Sequence, residues 1–282
     1  MANDYNLQLI RRKPINYNGL LFHPISFGYI CDNIGLETFD KLLIPFLITK
    51  DCLNIEDEKL DSIDLFNDVI LNDQNMLYSM AYVLQLFCKC DNVLQNNFSI
   101  VLEFKENPIS KKDLDIGIIK KSMFQKFLDK FRKQEVVKTD ITEKNQEVVT
   151  KTFTIDKNNF DDICEIIMKL NGKDKIKVEK PPKNMSERQR DVWEKLQAGR
   201  KRESEKNNVH IYDMINVCAF GGYYHIPIDE IDTWSLWEIM NCYKARVNIK
   251  TYDDSLKICL VSGDAKSISD KNHWHHKLMV RD

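Results

Sequence analysis

A chain of 282 residues, 43% hydrophobic and 30% charged, is long enough for one large domain or two of ordinary size, each with a buried core. Its 41 Lys+Arg against 43 Asp+Glu leave a formal net charge of −2, which excludes a global electrostatic pull toward nucleic acid or acidic lipid. The sparse glycine and proline argue against a Gly-rich nucleotide-binding architecture and against an all-β fold built on many tight turns.

The first segment, Leu7–Phe22, reads as strand material. Asn18-Gly19 between two β-leaning runs predicts a hairpin, because a type I′ turn requires positive φ at both central residues. His23-Pro24 closes that strand. Ser26–Ile34 reads as a short helix stopped by Gly35, and Glu37–Thr49 as a second one broken or kinked at Pro45. The acids from Glu56 to Asp64 read as a loop or a solvated helix start. Ile63–Leu71 and Asn75–Cys90 carry apolar residues over broad faces and predict buried helices. Phe98–Phe104 alternates as a strand, Leu114–Ile119 as another, and Ser122–Phe131 reads as an amphipathic helix.

Strands near Glu135–Lys138 and Glu147–Ile155 flank the polar tip 143–146 and predict a second hairpin. Asp156 is placed to cap a helix over Asn159–Leu170, ended by Asn171-Gly172. Lys173–Lys183, with Pro181-Pro182, reads as a stiff polar spacer. Ser186-Glu-Arg-Gln189 has capping-box spacing and opens a charged helix in which few residues beyond Met185, Val192, Trp193, Leu196 and Ala198 are apolar. Helical periodicity resumes from Ile211 onward. The resulting fold class is α+β. It comprises a mostly helical N-terminal domain with a small antiparallel sheet (1–175), a charged connector helix (176–207) and a small all-helical C-terminal domain (208–282) with a core of its own.

No C-x-x-C pair occurs among the eight cysteines, and most sit on apolar stripes, where a free thiol acts as a small hydrophobe. The start of the chain has no apolar h-region, and the longest apolar run, Leu42–Thr49, is far shorter than the ~20 residues of a membrane helix. A cytoplasmic protein without membrane association is the expectation. His273, His275 and His276 are the densest metal-ligand types, yet no acid or thiol clearly completes a set of three or four, so a solvated helix end is the better reading. The basic residues between Arg188 and Lys206 are offset by five acids and lack aromatic interleaving, which disfavours nucleic acid as a partner. Gly221-Gly222 lacks the flanking strand and Lys-Ser/Thr of a phosphate cradle and reads as a turn. No nucleophile elbow, zincin motif, calcium loop or paired-carboxylate motif is present, so neither an enzyme nor a cofactor is expected.

Two patterns carry a resemblance. Pro14, Gly19, Leu20, Pro24, Ile25, Ile30, Ile34, Gly35, Phe39 and Leu42 form the first. Gly221, Gly222, Ile226, Pro227, Ile231, Thr233, Trp237, Met240, Tyr252, Asp253, Gly263, Asp264, His273 and Trp274 form the second. Together they resemble tail-morphogenesis proteins of low-GC Gram-positive bacteriophages, especially tail assembly chaperones. The resemblance implies a non-enzymatic factor in the bacterial host cytoplasm that coats the tape-measure protein and recruits tail-tube subunits, with a homo-oligomer as a further assembly. Trp234, Trp237, Tyr243 and Trp193 are the protein-contact candidates under that expectation. Two alternatives are a structural virion component, such as a connector or baseplate protein, and a metal-dependent enzyme built on the C-terminal histidines.

Overall fold

A computed structural model describes residues 5–53, 60–105, 150–182, 185–206 and 209–262. The architecture is α+β and mostly helical, with one two-stranded and one three-stranded antiparallel sheet. The expected strands at 114–119 and 135–138, the helix at 122–131 and the three C-terminal histidines lie outside the described residues.

The chain opens with a helix, α1 (Tyr5–Ile10), where Leu7–Ile10 reads as a strand from its sequence. Tyr5 and Leu9, four residues apart, both face the core while Leu7 and Ile10 are exposed, so burial follows the helical period. The hairpin forms as expected between β1 (Ile15–Tyr17) and β2 (Leu20–Phe22). Asn18 and Gly19 take φ of 49° and 87°, and Asn16 Oδ1 accepts from the Gly19 amide at 2.9 Å. Ile15, Leu20 and Phe22 then fall on one buried face.

Ser26 caps α2 (Phe27–Asn33), accepting from the Tyr29 amide at 3.4 Å. The next expected helix is two: α3 (Leu36–Leu42) and α4 (Ile44–Leu47), broken at Leu43 with Pro45 in the first turn of α4. Proline lacks the amide that a continuous helix would use there, so it starts a helix more readily than it continues one. Asp64 and Asp73 cap a π-helical stretch (Leu65–Ile70) and the buried α5 (Gln74–Cys88). The larger sheet runs β3 (Asn92–Asn96), β4 (Ser99–Lys105), β5 (Thr150–Ile155), with Leu102 opposite both Val93 and Phe153. β3 carries no clear sequence signal because Val93 is its one buried residue. The last helix of this half, α6 (Phe160–Asn171), buries Phe160, Ile163, Cys164, Ile166, Ile167 and Leu170.

The spacer lies against the preceding helices. Ile176 exchanges hydrogen bonds with the α4 end, its amide donating to Leu47 O at 2.8 Å and its carbonyl accepting from Thr49 Oγ1 at 3.2 Å. Lys173, Lys175 and Lys180 pair with Asp40, Asp161 and Asp51. Beyond it, the capping box at Ser186 and Gln189 opens α7 (Glu187–Lys206), as the spacing predicts.

The C-terminal helices are α8 (Ile211–Phe220), α9 (Ile228–Asp232) and α10 (Leu236–Ser262). They do not close a core of their own. Cys218, Ala219, Ile231, Trp234, Leu236, Trp237 and Ile239 belong to the same buried cluster as Phe22, Ile30 and Phe87. An isolated bridge pairs Ser26 with Ser235, and the Phe27 amide donates to Trp234 O at 2.6 Å. Arg12 pairs with Glu238, whose other oxygen caps Ser235. The apolar faces of these helices turn to the N-terminal helices, so Trp234 and Trp237 complete a shared core.

Candidate functional site

The four contact candidates separate into core and surface. Trp234 and Trp237 retain only 8% and 3% exposure, so they are corrected here from contact anchors to core residues. They sit where α10 begins, held between α1 and α2, and an indole already enclosed has no face left for a partner. Tyr243 is half-buried and packs on the same cluster. Trp193 is partly buried on α7, away from that cluster and beside the exposed Val192 and Leu196.

Around Trp193 lies a groove of about 570 Å³ formed by Pro182, Met185, Arg188, Gln189, Val192, Trp193 and Leu196. Val192 and Leu196 are 52% and 57% exposed and lie one turn apart, so with Met185 and Trp193 they form an unpartnered apolar stripe. The stripe is held in place from the spacer: Glu179 accepts from Gln197 Nε2 and from Arg200 Nη1 at 2.8 Å. These two contacts, led by the Gln197 hydrogen bond, hold the Glu179 carboxyl below its ordinary value.

A second exposed surface escaped the sequence reading. Tyr212 and Phe220 lie on α8, and Tyr223 and Tyr224 in the turn after it are 89% and 84% exposed. Phe220 packs on the His225 ring at 5.1 Å, and Tyr223 hydroxyl donates to Asp253 at 3.4 Å. The signal was present, since two tyrosines in a glycine turn are more aromatic than a simple connection needs. The turn itself forms as predicted, for a tertiary reason. Arg246 from α10 reaches under it, donating to Val217 O at 3.0 Å and Tyr224 O at 3.4 Å. A Cβ at position 222 would stand 2.7 Å from the Arg246 guanidinium carbon, so glycine is what lets the two groups approach.

Arg246 also faces two cysteines that helix packing brings together. Cys218 on α8 is fully buried, with Sγ donating to Ile239 O at 3.4 Å on the α10 turn that leads to the half-buried Cys242. The contact with Cys218, and then the Arg246 charge, lower the Cys242 thiol from its ordinary value despite its partial burial. Cys218 moves the other way, raised by the same contact and by burial. Burial raises Cys31, Cys88, Cys90 and Cys164 as well, Cys90 to about 12. Nothing in the sequence marks the pair, because its members are 24 residues apart on two helices. Cys242 opens onto a pocket of about 170 Å³ with Ile10, Arg12, Trp234, Trp237, Glu238 and Asn241. Trp234 Nε1 and Asn241 Oδ1 there are buried without a hydrogen-bond partner.

Among the described residues, no group of three or more His, Cys, Asp or Glu side chains is placed to hold a metal ion. No helix among them is long and apolar enough to cross a membrane. No family model matches the chain, and neither does any curated protein or solved structure.

Proposed function

We propose that this chain is a non-enzymatic assembly factor that binds amphipathic helices of protein partners. In the setting that the two sequence patterns imply, it acts as a bacteriophage tail assembly chaperone. The supporting observation is the open groove on α7, where Val192 and Leu196 stand exposed beside the partly buried Trp193 on a helix otherwise covered in charge. Grooves of this kind accept a partner helix through anchors at i, i+3, i+4 and i+7. A tape-measure protein, a long helical rod, supplies such repeats, and tail-tube subunits would be recruited to the coated rod. The interspersed Arg188, Arg190, Lys195 and Glu194 would form the polar rim that keeps the stripe soluble before binding.

The test is binding of a tape-measure fragment to the full chain. The double variant Val192→Glu with Leu196→Glu is expected to lose at least tenfold in affinity, as truncating interface anchors does, while melting as wild type. Unchanged affinity would remove the stripe from the site. Stoichiometric presence of the protein in purified particles would favour a retained virion component instead.

A further inference from the structure

We propose that Cys242 is a hydroperoxide-reactive thiol and Cys218 its resolving partner, so that oxidation joins α8 to α10 through a disulfide. Three features of the fold converge on this pair. Cys218 Sγ lies 3.4 Å from the Ile239 carbonyl, on the α10 turn that leads to Cys242, so the packed helices hold the two cysteines side by side, the juxtaposition a disulfide requires. Their exposures divide the roles: Cys242 lines a pocket open to solvent, whereas Cys218 is enclosed behind it. Arg246 follows Cys242 by one turn of α10, and its guanidinium reaches Val217 O, next to Cys218, at 3.0 Å, so a cation stands on the face where a thiolate would form, the environment that makes a cysteine nucleophilic.

The pocket also suits the oxidant. A hydroperoxide is both a hydrogen-bond donor and an acceptor, and the pocket presents one unpartnered group of each kind, the Asn241 Oδ1 acceptor and the Trp234 indole donor.

The chemistry balances within the pair and the peroxide. Cys242 thiolate attacks one peroxide oxygen, the O–O bond breaks, and the departing alkoxide takes the proton that Cys242 released. Cys242 is then a sulfenic acid. Cys218 sulfur attacks the sulfenic sulfur, the S–O bond breaks, and the hydroxyl leaves as water with the Cys218 proton. Two thiols lose two electrons, and the hydroperoxide gains them to become an alcohol and water. The reaction is independent of partner binding on α7, which contributes no residue to the pocket.

Both cysteines fall in a single tryptic peptide, 207–244, which contains no internal Lys or Arg. The reduced full chain is treated with one equivalent of hydrogen peroxide, blocked with iodoacetamide and digested. The expected result is a 207–244 peptide lighter by two hydrogens, with neither cysteine alkylated. The Cys218→Ser chain should instead accumulate a dimedone-reactive sulfenic acid at Cys242. Arg246→Gln should slow the oxidation at pH 7 severalfold, as the thiolate loses its neighbouring cation while the contact with Cys218 remains. A 207–244 peptide that keeps both alkylatable thiols while Cys31 is oxidised would overturn the proposal, and so would cross-linking of Cys242 to any cysteine outside that peptide. The wild-type measurement requires no variant to fold.

Discussion

Replacing Trp237 by alanine asks whether its ring is structure or surface, and the buried geometry sets the size of the answer. With 3% of its exposure left, nearly the whole side chain is withdrawn from water. At about 25 cal/mol per Å² and about 150–250 Å² for a ring of this kind, burial contributes an upper bound of roughly 4–6 kcal/mol. Measured aromatic-to-alanine changes in cores cost about 3–5 kcal/mol, because the surroundings collapse only in part around the cavity. The loss should be large here, since the ring sits between α10, α1 and the cluster below, which are fixed by the Arg12–Glu238 pair and the Phe27–Trp234 hydrogen bond. With a urea slope of about 3 kcal/mol per M, the unfolding midpoint should fall by about 1–1.7 M. Leu196→Ala, at an exposed position on α7, is the control and should stay within about 0.5 kcal/mol of wild type. Circular dichroism at increasing urea reads both. A Trp237→Ala chain as stable as the Leu196→Ala control would refute the placement of this ring in the core.

Two further outcomes follow from local chemistry. Burial, and then the Lys89 charge, hold the His23 imidazole below its ordinary value of 6.5. The unfolded chain therefore binds this proton more readily, so the His23 contribution is intact above about pH 6.5 and is lost as pH falls toward the folded value. The melting temperature should drop between pH 7.5 and pH 5.5, and His23→Gln should flatten that drop; an identical slope in the variant would count against it. Gly222→Ala should push Arg246 out from under the turn, at a cost of about 1–3 kcal/mol as its bonds to Val217 and Tyr224 are lost. The same variant should alkylate more slowly at Cys242, and an unchanged rate would separate Arg246 from the thiol.

Local chemistry was legible wherever one residue type satisfies a backbone requirement. The turn at Asn18-Gly19, the stop at Asn171-Gly172 and the capping box from Ser186 to Gln189 all formed where spacing placed them. Helical periodicity also located α5, α6 and α8, because the apolar residues of each recur on a face turned to the core. The same method failed on α1 and β3. Tyr5, Leu7, Leu9 and Ile10 within six residues fit either period, and a strand with one buried side chain leaves no pattern to count.

Periodicity states that a residue will be buried, and leaves open against what. Trp234 and Trp237 therefore read equally well as contact anchors or as core from sequence, and packing against the N-terminal helices decided for the core. Val192 and Leu196 are the reverse case: apolar residues on a charged helix that tertiary packing leaves uncovered. Cys218 and Cys242 show the limit most plainly, since neither has a neighbour in sequence that marks it. Their chemistry comes from a contact between helices and from the Arg246 charge, so sequence alone determined the elements and their caps, and tertiary structure decided which side chains meet.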